Sequence, residues 1–192
     1  MGKSHSLMKK QRAPCLIDGW LSPQARLLER HELRIAAPPE QASEVIQQVT
    51  LADMPIMQAL FMMRGIPHSK EMTLRQFFST PPFLILQEKP PHEVVIGSTG
   101  RSWRLTGDRK RPGLPSTPEK FRAYAEEGSM RVIANVRAEA MESGSLISTE
   151  TWVETFGSRA RWLFRAYWLI VGPFSALIRR DFLRATRRRS KA

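Results

Sequence analysis

The sequence predicts an α+β fold in which an antiparallel sheet wraps around a long C-terminal helix. Three observations carry this expectation. Several segments alternate polar and apolar residues with the period of two that a half-buried strand requires, and most are joined by short turn-like breaks. The segment from about Ser158 to Arg189 is helix-like and apolar on nearly every side between Trp162 and Val171. An antiparallel sheet solvates one face and needs cover on the other, and this helix is the obvious cover.

Along the chain, residues 1–14 hold four Lys or Arg and no acid, and read as a flexible basic leader. The remaining residues, 15–192, form a single domain with a basic C-terminal tail, because a chain of 192 residues suffices for one substantial core. Residues 20–30, with Pro23, Ala25, Leu27 and Leu28, suggest a short helical turn or lead-in. His31–Ala36 alternates as a strand. Pro38-Pro39-Glu40 stops it and opens a helix, since proline is tolerated in a first turn and Glu40 complements the positive helix end. Its buried stripe is Ala42, Val45, Ile46 and Val49. A second helix over residues 55–64 sets Ile56, Ala59, Leu60 and Met63 at helical spacing, with Gly65 as its stop. Thr73–Phe78 makes a further short turn.

Beyond it the period changes. Phe83–Glu88 reads as a strand, Lys89–His92 as a turn and Glu93–Gly97 as the return strand, with residues 101–105 continuing the sheet after a bend at Gly100. Residues 106–118 are a surface loop. Glu119–Ala125 is a short helix or an irregular crossover. Strands over 130–139 and 146–154 flank a hairpin-like break at 142–145. In the last strand Ile147, Thr149, Thr151 and Val153 share one face, opposite Ser148, Glu150 and Glu154. With the threonine face inward, those two acids point to solvent. In the final helix Leu163, Tyr167, Ile170, Phe174 and Leu177 define a sheet-facing stripe, and Trp162, Phe164, Trp168 and Leu169 extend beyond it. Gly172-Pro173 argues against an uninterrupted straight helix.

The run His31-Glu32-Leu33-Arg34-Ile35-Ala36-Ala37-Pro38-Pro39-Glu40-Gln41-Ala42-Ser43-Glu44-Val45 resembles the first strand and first helix of the START-related, helix-grip (SRPBCC) superfamily. That superfamily includes polyketide cyclases, plant allergens and lipid-transfer domains. The hairpins and the long terminal helix extend the resemblance over roughly residues 28–188, and it is strongest to the uncharacterised bacterial cyclase/dehydrase-like branch. The region after Trp103 departs from it, being short and basic where a further strand pair is expected. The resemblance implies a hydrophobic molecule held between sheet and helix; it transfers no catalytic residue.

Charge and motif content narrow the chemistry. The net charge is +12, mostly terminal, with 42% hydrophobic and 25% charged residues. Basic ends can attract anionic lipid or nucleic acid without sequence readout, but no stacking module or recognition helix accompanies them, so no specific nucleic-acid partner is expected. Cys15 is alone, excluding an intrachain disulfide framework and favouring a reducing, cytoplasmic setting. The apolar stretch Ala166–Pro173 is too short to span a bilayer. His5, His31, His68 and His92 are scattered, so neither a metal nor a cofactor is expected. Gly97-Ser98-Thr99-Gly100 lacks the rest of a phosphate loop, and no nucleophile motif is present. Among acids, Glu88, Glu93, Glu150 and Glu154 lie on or near strands, and Asp53 suits a helix cap.

What remains is an apolar pocket with few polar anchors. Leu60, Met63, Phe83, Ile85 and Trp103 are candidate wall residues from the first half of the chain. Val132, Ala134, Val136, Thr149, Thr151, Tyr167 and Phe174 complete the wall, with adaptable Met54, Met57, Met62 and Met63 suited to an irregular surface. Thr149, Thr151 and Tyr167 are the candidates to orient a polar group on the ligand, Asn135 being a weaker one of opposite parity. Every one of these positions also suits ordinary core packing. A hydrophobic small molecule or lipid, an anionic membrane surface met by the basic tail, and a second copy of the chain are the candidate partners. A cyclase or aromatase using the same cavity is the enzymatic alternative, and a structural or membrane-associated protein with a filled core is the third.

Overall fold

The computed structural model describes residues 13–63, 69–103 and 114–191, and its centre is one antiparallel sheet. The strands are β1 (Arg26–Ile35), β2 (Phe83–Lys89), β3 (Glu93–Gly100), β4 (Met130–Ala140) and β5 (Ser145–Thr155), in the order β1-β5-β4-β3-β2. Helices α1 (Pro39–Gln48), α2 (Pro55–Met63) and α3 (Leu74–Phe78) lie between β1 and β2, α4 (Pro118–Ala123) precedes β4, and α5 (Ser158–Arg189) ends the fold. This is the α+β, helix-grip arrangement expected from the sequence.

The inner face carries Ile147, Thr149, Thr151 and Val153 of β5 beside Val132, Ala134, Val136 and Ala138 of β4. Below it sit two apolar clusters. One joins Ile35, Ala42, Val49, Leu51, Met54 and Phe61 to Ala138, Ile147, Phe182 and Leu183. The other joins Met130, Val153 and Phe164, with Leu28, Trp103, Val132, Tyr167 and Trp168 packed around them. Asp181, buried on α5, accepts hydrogen bonds from the Ile56 and Met57 amides at 2.9 and 3.4 Å. It thereby supplies the first turn of α2 with an acceptor for donors that lack partners within the helix.

The outer face is covered too, which the sequence reading did not anticipate. Residues 13–25, including a 3-10 turn at Leu16–Trp20, and helix α4 lie over it. Ile17, Ala25, Leu86, Val95, Phe121, Ile133 and Trp152 form its core. At Gly97 an added Cβ would fall 2.5 Å from the Phe121 ring, so α4 can press this closely only against a glycine. Glu150 and Glu154 do face away from the threonines, but both are buried beneath this layer and do not reach solvent.

Two one-residue bulges shape the inner face. In β1 the register shifts between Leu27 and Glu29, so Leu27 opposes Trp152 outside while Glu29 opposes Thr151 inside. In β2 it shifts between Ile85 and Gln87: Leu86 joins the outer core, and Glu88 comes opposite Val94. A bulge reverses the alternation that follows it. Without the shifts, both glutamates would share the facing of Leu27 and Leu86.

Other differences follow from local packing. Residues 26–30 are strand and not a helical lead-in, because Arg26, Leu27, Glu29 and Arg30 pair with β5 on either side of the bulge at Leu28. Helix α5 runs through Gly172 and Pro173 without a break; an added Cβ on Gly172 would sit 3.1 Å from the Trp168 indole nitrogen. Its buried line is Ala160, Phe164, Asp181, Phe182, Leu183, Ala185 and Thr186, with Ser175, Ile178 and Arg179 half-buried between. Of the expected stripe, Leu163 and Tyr167 are half-buried, whereas Ile170, Phe174 and Leu177 are exposed. The leader up to residue 12, the Gly65 stop, residues 104–105 and loop residues 106–113 lie outside the described residues.

Candidate functional site

A cleft of about 360 Å³ opens between α1 and α3 on one side and strands β2, β3 and β4 on the other. Ile85, Val94, Ile96, Val136 and Ala138 form its floor, because these positions share the inner face across three paired strands. Ile46, Leu74 and Phe78 face them from the helices, and Phe182 brings α5 to the inner end. The helices are held locally. Thr73 accepts a hydrogen bond from the Gln76 amide at 3.2 Å while Gln76 Oε1 accepts one from the Thr73 amide at 2.9 Å, a reciprocal capping box that fixes α3.

The rim is polar. Arg75 on α3 reaches Glu88 on β2 with two hydrogen bonds, 2.6 Å to Oε2 and 3.0 Å to Oε1. This fork-to-fork pairing ties the helix to the sheet edge. The Arg75 guanidinium holds the Glu88 carboxyl below its ordinary value of 4.5, outweighing the partial burial that would raise it. Ser43, Gln47, His92 and Glu93 complete the polar lining, with the cis-linked Pro90-Pro91 turn beside them. The arrangement can bury an apolar body and meet a polar head at one end.

A partly buried polar cluster lies one strand beyond the cleft floor, between β1, β5 and α5. The Arg179 guanidinium donates to Thr149 Oγ1 and, at 2.7 Å, to Thr151 Oγ1. Its Nε stands 4.0 Å from Glu29 Oε1. The Glu29 carboxylate accepts from Ser175 and, at 3.5 Å, from Thr151, while its other oxygen lies 3.2 Å from His31 Nε2. Burial pulls the Arg179 pKa below its ordinary value, and the Glu29 charge opposes the shift. The β1 bulge makes this cluster, since it turns Glu29 inward.

The structure divides the expected wall residues among several places. Ile85 and Val136 line the cleft. Phe83 packs beside it, tilted against Phe77 and edge-on to Phe78, with ring centroids 5.1 and 5.2 Å away. Trp103, Val132 and Tyr167 belong instead to the cluster around Phe164. Thr149 and Thr151 are not among the residues lining this cleft, and both hydroxyls accept hydrogen bonds from Arg179. Leu60 is half-buried on α2, but Met63 is 70% exposed and Phe174 also faces outward, so neither walls an interior space. Sequence reading missed Ile46, Leu74, Phe78 and Ile96 as lining residues, and missed the Arg75–Glu88 pair. The first four carried the right periodicity but no feature separating lining from core.

The candidate acids and amide of the outer face are consumed in structural contacts. Glu93 accepts from the Leu16 and Ile17 amides and from Asn135 Nδ2, at 2.7, 3.2 and 2.7 Å. Glu150 accepts from Trp152 Nε1 at 2.8 Å and Arg30 at 3.1 Å. Glu154 is clasped by Arg131, whose Nε lies at 3.0 Å, and accepts from Ser22 at 2.6 Å. Asp53 takes the Thr50 amide at 2.9 Å and Arg189 Nε at 2.8 Å, so the arginine-rich end of α5 is partly anchored to the connection between α1 and α2. Among the described residues no group of three or more His, Cys, Asp or Glu converges as a metal site, and no helix is long and apolar enough to cross a membrane.

No family model and no curated protein matches this chain. Among solved structures, it is similar to the X-ray crystal structure of protein MLL2253 from Mesorhizobium loti, with 11% identity and a TM-score of 0.40. The similarity covers 85% of this chain and 98% of that one.

Proposed function

We propose that the protein binds a hydrophobic small molecule or lipid in the cleft between α1, α3 and the sheet. One observation carries the reading: an apolar floor and roof border an open cleft of about 360 Å³, with polar groups gathered at the rim. Small-molecule sites share that size and that distribution of polarity. The ligand's apolar body lies over Ile85, Ile96 and Val136, and its polar head meets Arg75, His92 or Gln47 at the rim. Membership of the START-related, helix-grip superfamily belongs to the same proposal, as does a cytoplasmic setting. The single long helix against an antiparallel sheet and the lone Cys15 support these two readings. A cyclase in the same cleft would draw on Glu88 or His92, but Arg75 keeps Glu88 ionised, which suits it to accept hydrogen bonds rather than deliver a proton.

The test is titration with the apolar fluorophore N-phenyl-1-naphthylamine, alongside native mass spectrometry of the purified protein. Saturable binding is expected, weakened at least about tenfold by Val136→Trp, which fills the floor. Circular dichroism and a melting curve establish that the variant folds. Absence of saturable binding, or equal affinity in a folded Val136→Trp protein, contradicts the proposal.

A further inference from the structure

The outward face of α5 carries large apolar side chains that no described residue covers. Leu169 is 81% exposed, Ile170 70% and Trp162 68%, and Phe174 and Leu177 are exposed as well. Their spacing places all five along one side of the helix. The same side continues into Arg180, Arg184 and Arg187, all exposed. Arg159 and Arg161 precede the apolar patch, Arg165 lies beside it, and all three are exposed. The helix contains one carboxylate, Asp181, which is buried and occupied by the Ile56 and Met57 amides. Thus no acidic side chain of α5 offsets this surface.

We infer that this face docks on an anionic lipid bilayer, α5 lying in the plane of the interface. A helix with a bulky apolar strip bracketed by arginines matches such a surface on both counts: the strip enters the acyl boundary while the guanidinium groups meet acidic headgroups. Charge selects this occupant over a second copy of the chain. Pairing two copies of the face would bring their arginines together with no exposed acid on the helix to answer them. Three of the five side chains are aliphatic, and the two aromatics, Trp162 and Phe174, stand about 18 Å apart along the helix axis, too far to stack successive bases of single-stranded nucleic acid. The inference stands independently of whether the cleft holds a ligand.

The experiment is sedimentation of the full chain with vesicles of phosphatidylcholine alone and of phosphatidylcholine containing phosphatidylglycerol, at low and high salt. Binding is expected only with the anionic vesicles. Leu169→Gln/Ile170→Gln and Arg180→Gln/Arg184→Gln are each expected to weaken it at least about tenfold, with unchanged circular dichroism and melting. Because these side chains are exposed, neither double variant disturbs the core. No sedimentation with anionic vesicles overturns the inference. So does binding that Leu169→Gln/Ile170→Gln leaves unaltered, which would assign attraction to the basic termini alone. Light scattering that finds a dimer dissolved by Leu169→Gln/Ile170→Gln would overturn it in favour of self-association.

Discussion

Replacing Arg179 by methionine tests how strongly the polar cluster holds α5 to the sheet. The substitution keeps the apolar stem and removes two hydrogen bonds, to Thr149 and Thr151, together with a charge 4.0 Å from Glu29. Hydrogen bonds to a charged group contribute about 1.5–3 kcal/mol each. Breaking a buried ion pair by removing one partner costs about 3–5 kcal/mol. Glu29 retains Ser175, Thr151 and His31 as partners and both charged groups are only partly buried, which places the expected loss at the bottom of that range, about 3 kcal/mol at most. For a chain of this size that corresponds to a fall in Tm of roughly 6–12 °C. Urea unfolding followed by circular dichroism gives the free energy directly. Adding Glu29→Gln to Arg179→Met should recover part of the loss, because it neutralises the carboxylate left behind, so the double-mutant cycle should be non-additive. A loss below about 1 kcal/mol, or an additive cycle, would refute the view that Arg179 and Glu29 are coupled in a partly buried cluster.

Two further substitutions probe the rim and the outer layer. Glu88 has a folded pKa lowered by Arg75, so the pair's contribution is fully present above the ordinary 4.5 and is lost as pH falls through the depressed folded value. The stability difference between wild type and Glu88→Gln should therefore shrink on acidification from about pH 7 to about pH 3; a constant difference in urea melts would count against the pairing. Arg131→Met leaves the buried Glu154 carboxylate with Ser22 as its remaining side-chain partner, and should cost about 3 kcal/mol in the same assay. A change within about 0.5 kcal/mol would mean that the outer layer does not seal Glu154 from water.

Much of this fold was legible because period reports burial wherever one side chain serves one face. The 39–48 helix, the β2–β3 hairpin and strands β4 and β5 all follow that rule, and the expected bounds fall within a few residues of those observed. Three features escaped for physical reasons. A bulge reverses facing with a single inserted residue, and neither Leu28 nor Leu86 differs in type from an ordinary strand residue. On α5 the buried face includes Ser175, Arg179 and Asp181, so a stripe drawn through apolar residues alone turned Ile170, Phe174 and Leu177 the wrong way. The cover over Glu150 and Glu154 comes from residues 13–25 and α4, whose tertiary placement leaves no periodic trace. The site shared this fate. Ile85 and Val136 were legible as inward residues, yet only the three-dimensional packing of α1 and α3 separates a lining position from a filled core.

The central claim, a ligand cleft under α1 and α3, is tested most directly by isoleucine methyl NMR during titration with N-phenyl-1-naphthylamine. Ile46, Ile85 and Ile96 line the cleft, whereas Ile17 and Ile133 are sealed on the opposite side of the sheet and serve as internal controls. Saturable shifts of the three cleft methyls, with the two controls unmoved, are the expected result. Cleft methyls that stay in place at saturating probe, or shifts confined to the control methyls, would contradict it.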